Sequence, residues 1–204
     1  MDGHFHDFLL GEKRYTDSRL QIDEGKDHET LFERCLAVLC CNVHLSDSED
    51  SSDHSNHDLC PLKKDIYGFG HPGGLTAAVD PDRLDERLPP AVQYACRHWV
   101  SHWRSSHTLP AYEQNVNSFL RTHLLHWIEA LALMGKVGEG VQMMIDLQSL
   151  GRDEASALSR LTRDAERVVL RCRSGIEAAP LQIYSSALVF APRQSEVRKL
   201  FGED

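Results

Sequence analysis

The 204-residue chain has no surplus of positive charge, with 22 Lys and Arg against 31 Asp and Glu. Residues 1–60 carry 14 acids against 5 Lys and Arg, and residues 61–204 balance at 17 each. Neither part supplies the basic stripe that counterion release from a nucleic acid requires, so nucleic acid is not expected as a partner. Long apolar runs are also missing. No stretch reaches the roughly 18–20 residues of a membrane span, and the opening MDGHFHDF lacks the basic-then-apolar order of a signal peptide. The expectation is a soluble, cytoplasmic chain that engages no membrane. The six cysteines include no CxxC pair. Cys35, Cys40, Cys41, Cys96 and Cys172 fall in apolar, helix-like stretches, where a thiol serves as a small hydrophobe, and no disulfide is expected.

What the chain does hold is leucine. Its 26 Leu outnumber 12 Val and 6 Ile, and unbranched side chains lose less freedom in a helix than β-branched ones. Apolar residues from Leu31 through Phe32, Cys35, Leu36, Leu39 and Cys40 to Val43 recur on one helical face, with Asp27 as the expected cap. Residues 46–58 contain only Ser, Asp, Glu, His and Asn, which can bury nothing, so 46–60 reads as a disordered acidic loop. Glycines and prolines then make residues 61–80 irregular. Asp80-Pro81 has the order of a helix start, and Pro89-Pro90 ends that helix and opens a stronger one. Val92, Ala95, Cys96, Trp99 and Trp103 form the stripe of this helix. The next carries Phe119, Leu120, Leu124, Trp127, Ile128, Leu131 and Met134 and stops at Gly135. Gly138 and Gly140 read as a turn before Val141, and a long helix is expected over Asp153–Ala178. Pro180 and Pro192 each read as the start of a short helix. No alternating strand pattern with hairpin turns occurs. The expected fold is all-α, an irregular multi-helix bundle or short solenoid-like stack, with residues 1–26 as a separate leading piece and 27–204 as the helical domain.

Chemistry finds little purchase. GxxxxGK[ST] is absent, and Gly135-Lys136 follows a helix instead of opening one, so no nucleotide site is expected. His98 and His102 are four apart, a spacing that can share a zinc, but the central Glu of HExxH is missing and two ligands leave the site unfinished. His107, and the pair His123 and His126, are read as ordinary helix histidines. His44, His54, His57 and Cys60 lie in or beside the acidic loop without the paired spacing of a zinc site. Nothing resembles GxSxG. The arginines Arg160, Arg163, Arg167, Arg171 and Arg173, interleaved with Asp164 and Glu166, read as a solvated face laced with ion pairs, with a phosphate or acidic-partner surface as the minor alternative. No catalytic, cofactor-binding or metal-ligating residue is assigned, and the chain is not expected to be an enzyme. Trp99, Trp103 and Trp127 are core anchors or, if exposed, a partner surface.

Three segments carry a resemblance. Leu88–Val100 (LPPAVQYACRHWV) is similar to an LPPAL-x-YAC-x-YW segment, and Phe119–Gly135 (FLRTHLLHWIEALALMG) to FL-x-x-HLLHWLEALSLMG. Ala179–Pro192 (APLQIYSSALVFAP) is similar to APLQLYSSALVFSP, a match that Ser195, Val197, Arg198 and Phe201 continue. A shorter fourth match sets Phe5, Asp7, Phe8 and Leu9 on SF-x-DFL, with His4 in place of Ser. These motifs resemble the helical region between the nucleotide-binding part and the propeller in fungal NACHT and WD-repeat proteins of the vegetative incompatibility type, which are STAND NTPases. The resemblance implies a non-catalytic connector whose partners are neighbouring NACHT and WD-repeat domains or another protein. It also implies that residues 1–26 are the end of a winged-helix piece and that the chain is an excised middle of a longer receptor or a truncated gene product. A free-standing helical adaptor is the alternative.

Overall fold

In the computed structural model, residues 23–40, 60–106, 111–151, 153 and 155–202 are described. Among them eight α-helices and two 3-10 turns form an all-α bundle without strands. The helices are α1 (Glu24–Cys40), α2 (Pro81–Arg87), α3 (Pro90–Ser105), α4 (Glu113–Leu133), α5 (Val137–Leu150), α6 (Ala157–Ala178), α7 (Ser186–Phe190) and α8 (Glu196–Phe201).

Helix α4 is the axis of the bundle. From Leu124 to Leu133 every residue except His123's neighbour in sequence spacing, His126, is buried, so this stretch touches protein on all sides rather than along one stripe. Helices α3, α5 and α6 pack around it, α1 lies on α3, and the C-terminal elements pack on α6. Arg97 reaches Glu139 at 2.8 Å and Arg104 reaches Asp146 at 3.0 Å. Both pairs span 42 positions, so α3 and α5 run in the same direction. Such exposed pairs fix register more than they add stability.

The tryptophans are core. Trp99, Trp103 and Trp127 are all 0 % exposed, with Trp99 edge-on to both Phe119 and Trp127. The Trp127 indole N–H donates to the Cys96 carbonyl at 2.8 Å, joining α4 to α3. Burial leaves these rings no part in a partner surface.

Several boundaries differ from the sequence expectation. Helix α1 opens one turn earlier, where the Asp23 carboxylate accepts the Lys26 N–H at 3.2 Å. Asp27 instead lies in the first turn, where its charge suits the helix dipole. Gly138 and Gly140 do not form a turn. They lie inside α5, where a Cβ on Gly140 would stand 2.6 Å from Leu131 Cδ1, so glycine permits the close approach of α5 to α4. The turn is made by Gly135 alone, at φ 68, with Lys136 N–H bonding the Leu131 carbonyl and Gly135 N–H that of Ala132. Helix α6 starts at Ala157 because the Ser156 hydroxyl caps the Ser159 N–H. Pro180 opens a 3-10 turn, Pro180–Ile183, but Pro192 opens only a single turn closed by the Ser195 N–H at 2.9 Å and no helix: α8 begins at Glu196, capped by Ser195. The acidic loop, Val43, His107 and the leading piece fall largely or wholly outside the described residues.

Candidate functional site

The residue that organises the molecule is Glu129, a carboxylate in the middle of an apolar helix and 0 % exposed. Three donors meet it. Oε1 accepts the Ile66 N–H at 2.6 Å, and Oε2 accepts the Asp65 N–H at 3.1 Å and the Tyr184 hydroxyl at 2.7 Å. One side chain therefore joins α4 to the irregular segment 60–80 and to the C-terminal 3-10 turn. Burial pushes its pKa from 4.5 up to about 7, against the hydrogen bonds from Tyr184, Ile66 and Asp65 that favour the charged form. Tyr184 is in turn held well above the usual tyrosine range, first by burial and then by the Glu129 charge.

The loop that meets Glu129 is built for the purpose. Asp65 adopts φ 60, a left-handed conformation that Asp tolerates better than most residues. Its carboxylate accepts the N–H groups of Gly68, Phe69 and Gly70 at 3.1, 2.7 and 2.7 Å, which curls the loop around its own side chain. Further along, the Asp80 N–H donates to the Tyr67 hydroxyl at 3.0 Å, and Arg83 stacks 4.6 Å above the Tyr67 ring. The Thr76 hydroxyl bonds the Glu177 carbonyl and the Gln182 amide bonds that of Pro72, both at 2.8 Å, so the same segment also grips the end of α6.

A second polar cluster joins α1 to α3. His102 is buried and faces His28 through their Nδ1 atoms at 2.9 Å, while its Nε2 meets the Tyr94 hydroxyl at 2.9 Å. Burial, then the neighbouring His28 and His98, lowers the pKa of His102. The His98 ring lies against that of Tyr94, with centroids 4.5 Å apart and planes tilted by 39°. Both nitrogens of His102 are thus engaged by protein, and no group of three or more metal-capable side chains occurs among the described residues. His123 and His126 face each other through Nδ1 at 3.3 Å, and Cys60 is buried with its thiol directed at the Leu62 carbonyl at 3.4 Å. Burial lifts the Cys35 thiol to about 11 and that of Cys96 to about 12, which leaves little nucleophilic thiolate near neutral pH.

Along α6 the arginines divide. Arg160 pairs with Glu196 at 3.2 Å and Arg173 with Glu177 at 2.7 Å, as a laced solvent face requires, whereas Arg167 and Arg171 border a cavity against the C-terminal turn. Sequence spacing singles out none of Glu129, Asp65 and Tyr184. The available signal is one charge enclosed by Leu124, Trp127, Ile128, Ala130 and Leu131, a position where an unpaired carboxylate is too costly to keep.

These contacts hold separate segments of the chain together. In an alignment of 155 positions that covers 70 % of the chain, it is 37 % identical to the vegetative incompatibility protein HET-E-1 of Podospora anserina. The chain is related to that fungal protein. It spans 11 % of the length of HET-E-1. No family model matches the chain, and no solved structure does. No helix among the described residues is long and apolar enough to cross a membrane.

Proposed function

We propose that the chain is a non-catalytic helical regulatory module of a NACHT-type STAND receptor in fungal nonself recognition and programmed cell death, and that it carries motion between an NTPase switch and a WD-repeat sensor. The observation that carries this reading is the 37 % identity to a vegetative incompatibility protein, of which the chain spans 11 %. The packing supports it. A central helix buried from Leu124 to Leu133 except at His126, pinned by Glu129 to two other segments, moves as a body when one end is pushed. The adaptor alternative has less support, because the aromatic surface it would use is the core.

The direct test replaces the matched segment of HET-E-1 with this chain and scores the incompatibility reaction. The connector reading expects the chimera to respond, expects deletion of the segment to abolish the response, and expects Glu129→Ala in the chimera to weaken it. A response that survives deletion of the segment contradicts the reading. The isolated chain is expected to show no change in melting temperature with ATP or GTP and magnesium; a rise of several degrees would mean that it binds nucleotide itself.

A further inference from the structure

Between the irregular segment, α4 and the C-terminal elements lies a cavity of about 280 Å³. Lys64, Arg121 and His126 line it together with Tyr184, Leu188 and Phe201, and no Asp or Glu among the described residues does. The surrounding carboxylates are committed elsewhere: Asp65 to the amides of its own loop, and Glu129 to Tyr184 and two backbone N–H groups. Neither Lys64 nor Arg121 has an ion pair among the described residues. The Lys64 ammonium stands 5.5 Å from the centre of the Tyr184 ring, and the bond from the Tyr184 hydroxyl to Glu129 holds that ring in place as a wall. The larger cavity of about 390 Å³ along α6 differs, because Asp164 shares its lining with Arg167 and Arg171 and cancels part of their charge.

We propose that the smaller cavity binds a small organic anion, its phosphate or carboxylate held by Lys64 and Arg121 and its apolar body lying on Tyr184, Leu188 and Phe201. A guanidinium fork and an ammonium recognise an oxyanion through charge-assisted hydrogen bonds. The apolar lining favours a ligand with a hydrocarbon or aromatic part over a bare ion. The site goes beyond the connector reading and does not rest on it.

Titration calorimetry on the full chain at low salt, with phenyl phosphate as the probe and inorganic phosphate and phenol as comparators, tests the proposal. Phenyl phosphate is expected to bind at least tenfold more tightly than either comparator. Arg121→Ala and Lys64→Ala are each expected to weaken it about tenfold while leaving the melting temperature unchanged, since both side chains are exposed. Binding of benzoate in place of phenyl phosphate, with the same dependence on Arg121 and Lys64, supports the site and assigns the head group as carboxylate. Equal affinities for phosphate and phenyl phosphate, insensitivity to both substitutions, or no binding at tens of millimolar overturns it.

Discussion

Replacing Glu129 by Gln removes a buried charge while keeping the size of the side chain, and the consequence depends on pH. In the folded chain burial raises the carboxyl pKa from 4.5 to about 7. The folded state therefore binds more protons than the unfolded state across that interval. The contribution of Glu129 to stability is fully present below pH 4.5 and is lost as pH rises through about 7. At roughly 1.4 kcal/mol per pH unit the loss amounts to about 3 kcal/mol, a large share of the 5–15 kcal/mol of a typical domain. The glutamine variant carries no such titration. It does place an amide N–H₂ against one of the donors that now meet the carboxylate, a constant cost of about 1–3 kcal/mol. Urea unfolding of both proteins from pH 4 to pH 8 should show the parent ahead at the acid end and its lead shrinking by about 3 kcal/mol at the alkaline end. A difference that stays flat with pH, or widens in favour of the parent as pH rises, would show that the donors from Ile66, Asp65 and Tyr184 outweigh burial and would refute the reasoning.

His102 titrates in the opposite sense: its pKa is lowered from 6.5, so stability present above that value is lost as pH falls below it. Unfolding of His102→Gln between pH 7 and pH 5 should lack this acid-side decline, and an unchanged decline would locate it elsewhere. Gly140→Ala should destabilise by about 1–3 kcal/mol in spite of better helix propensity, because the added Cβ meets the fully buried Leu131 at 2.6 Å. Gly175→Ala in α6, with nothing within 4 Å of its Cβ, should instead gain up to about 1 kcal/mol. Thermal unfolding of the two variants side by side checks both signs, and equal effects would count against the close approach of α4 and α5.

The helices with tryptophan anchors were legible because periodicity and burial agree. Trp99, Trp103 and Trp127 repeat at helical spacing and are all in the core, and Gly135 ends α4 where a left-handed residue was expected. Local signals misled where tertiary contacts decide. Gly140 reads as a turn residue from its neighbours alone, but it serves the close approach of α5 to Leu131 of α4, a distance that sequence spacing does not report. Pro192 satisfies the rule for a helix start, yet Ser195 caps a later one, because Asp164 of α6 accepts both the Ser195 hydroxyl and the Val197 N–H there. Glu129 was hidden for the same reason. Its donors lie 63 and 64 positions before it and 55 after it, and no local pattern reports such a meeting.

Helix α4 and its neighbours form one body tied through Glu129, and native-state hydrogen exchange measures that most directly. The amides of α3, α4, α5 and α6, together with the Ile66 N–H, are expected to exchange in a single slow class, and Glu129→Ala is expected to release the segment around Ile66 and the turn at Tyr184 while α4 stays protected. Separate rates for α4 and its packed neighbours in the parent protein, or an Ile66 amide that exchanges as fast as exposed loop amides, would contradict it.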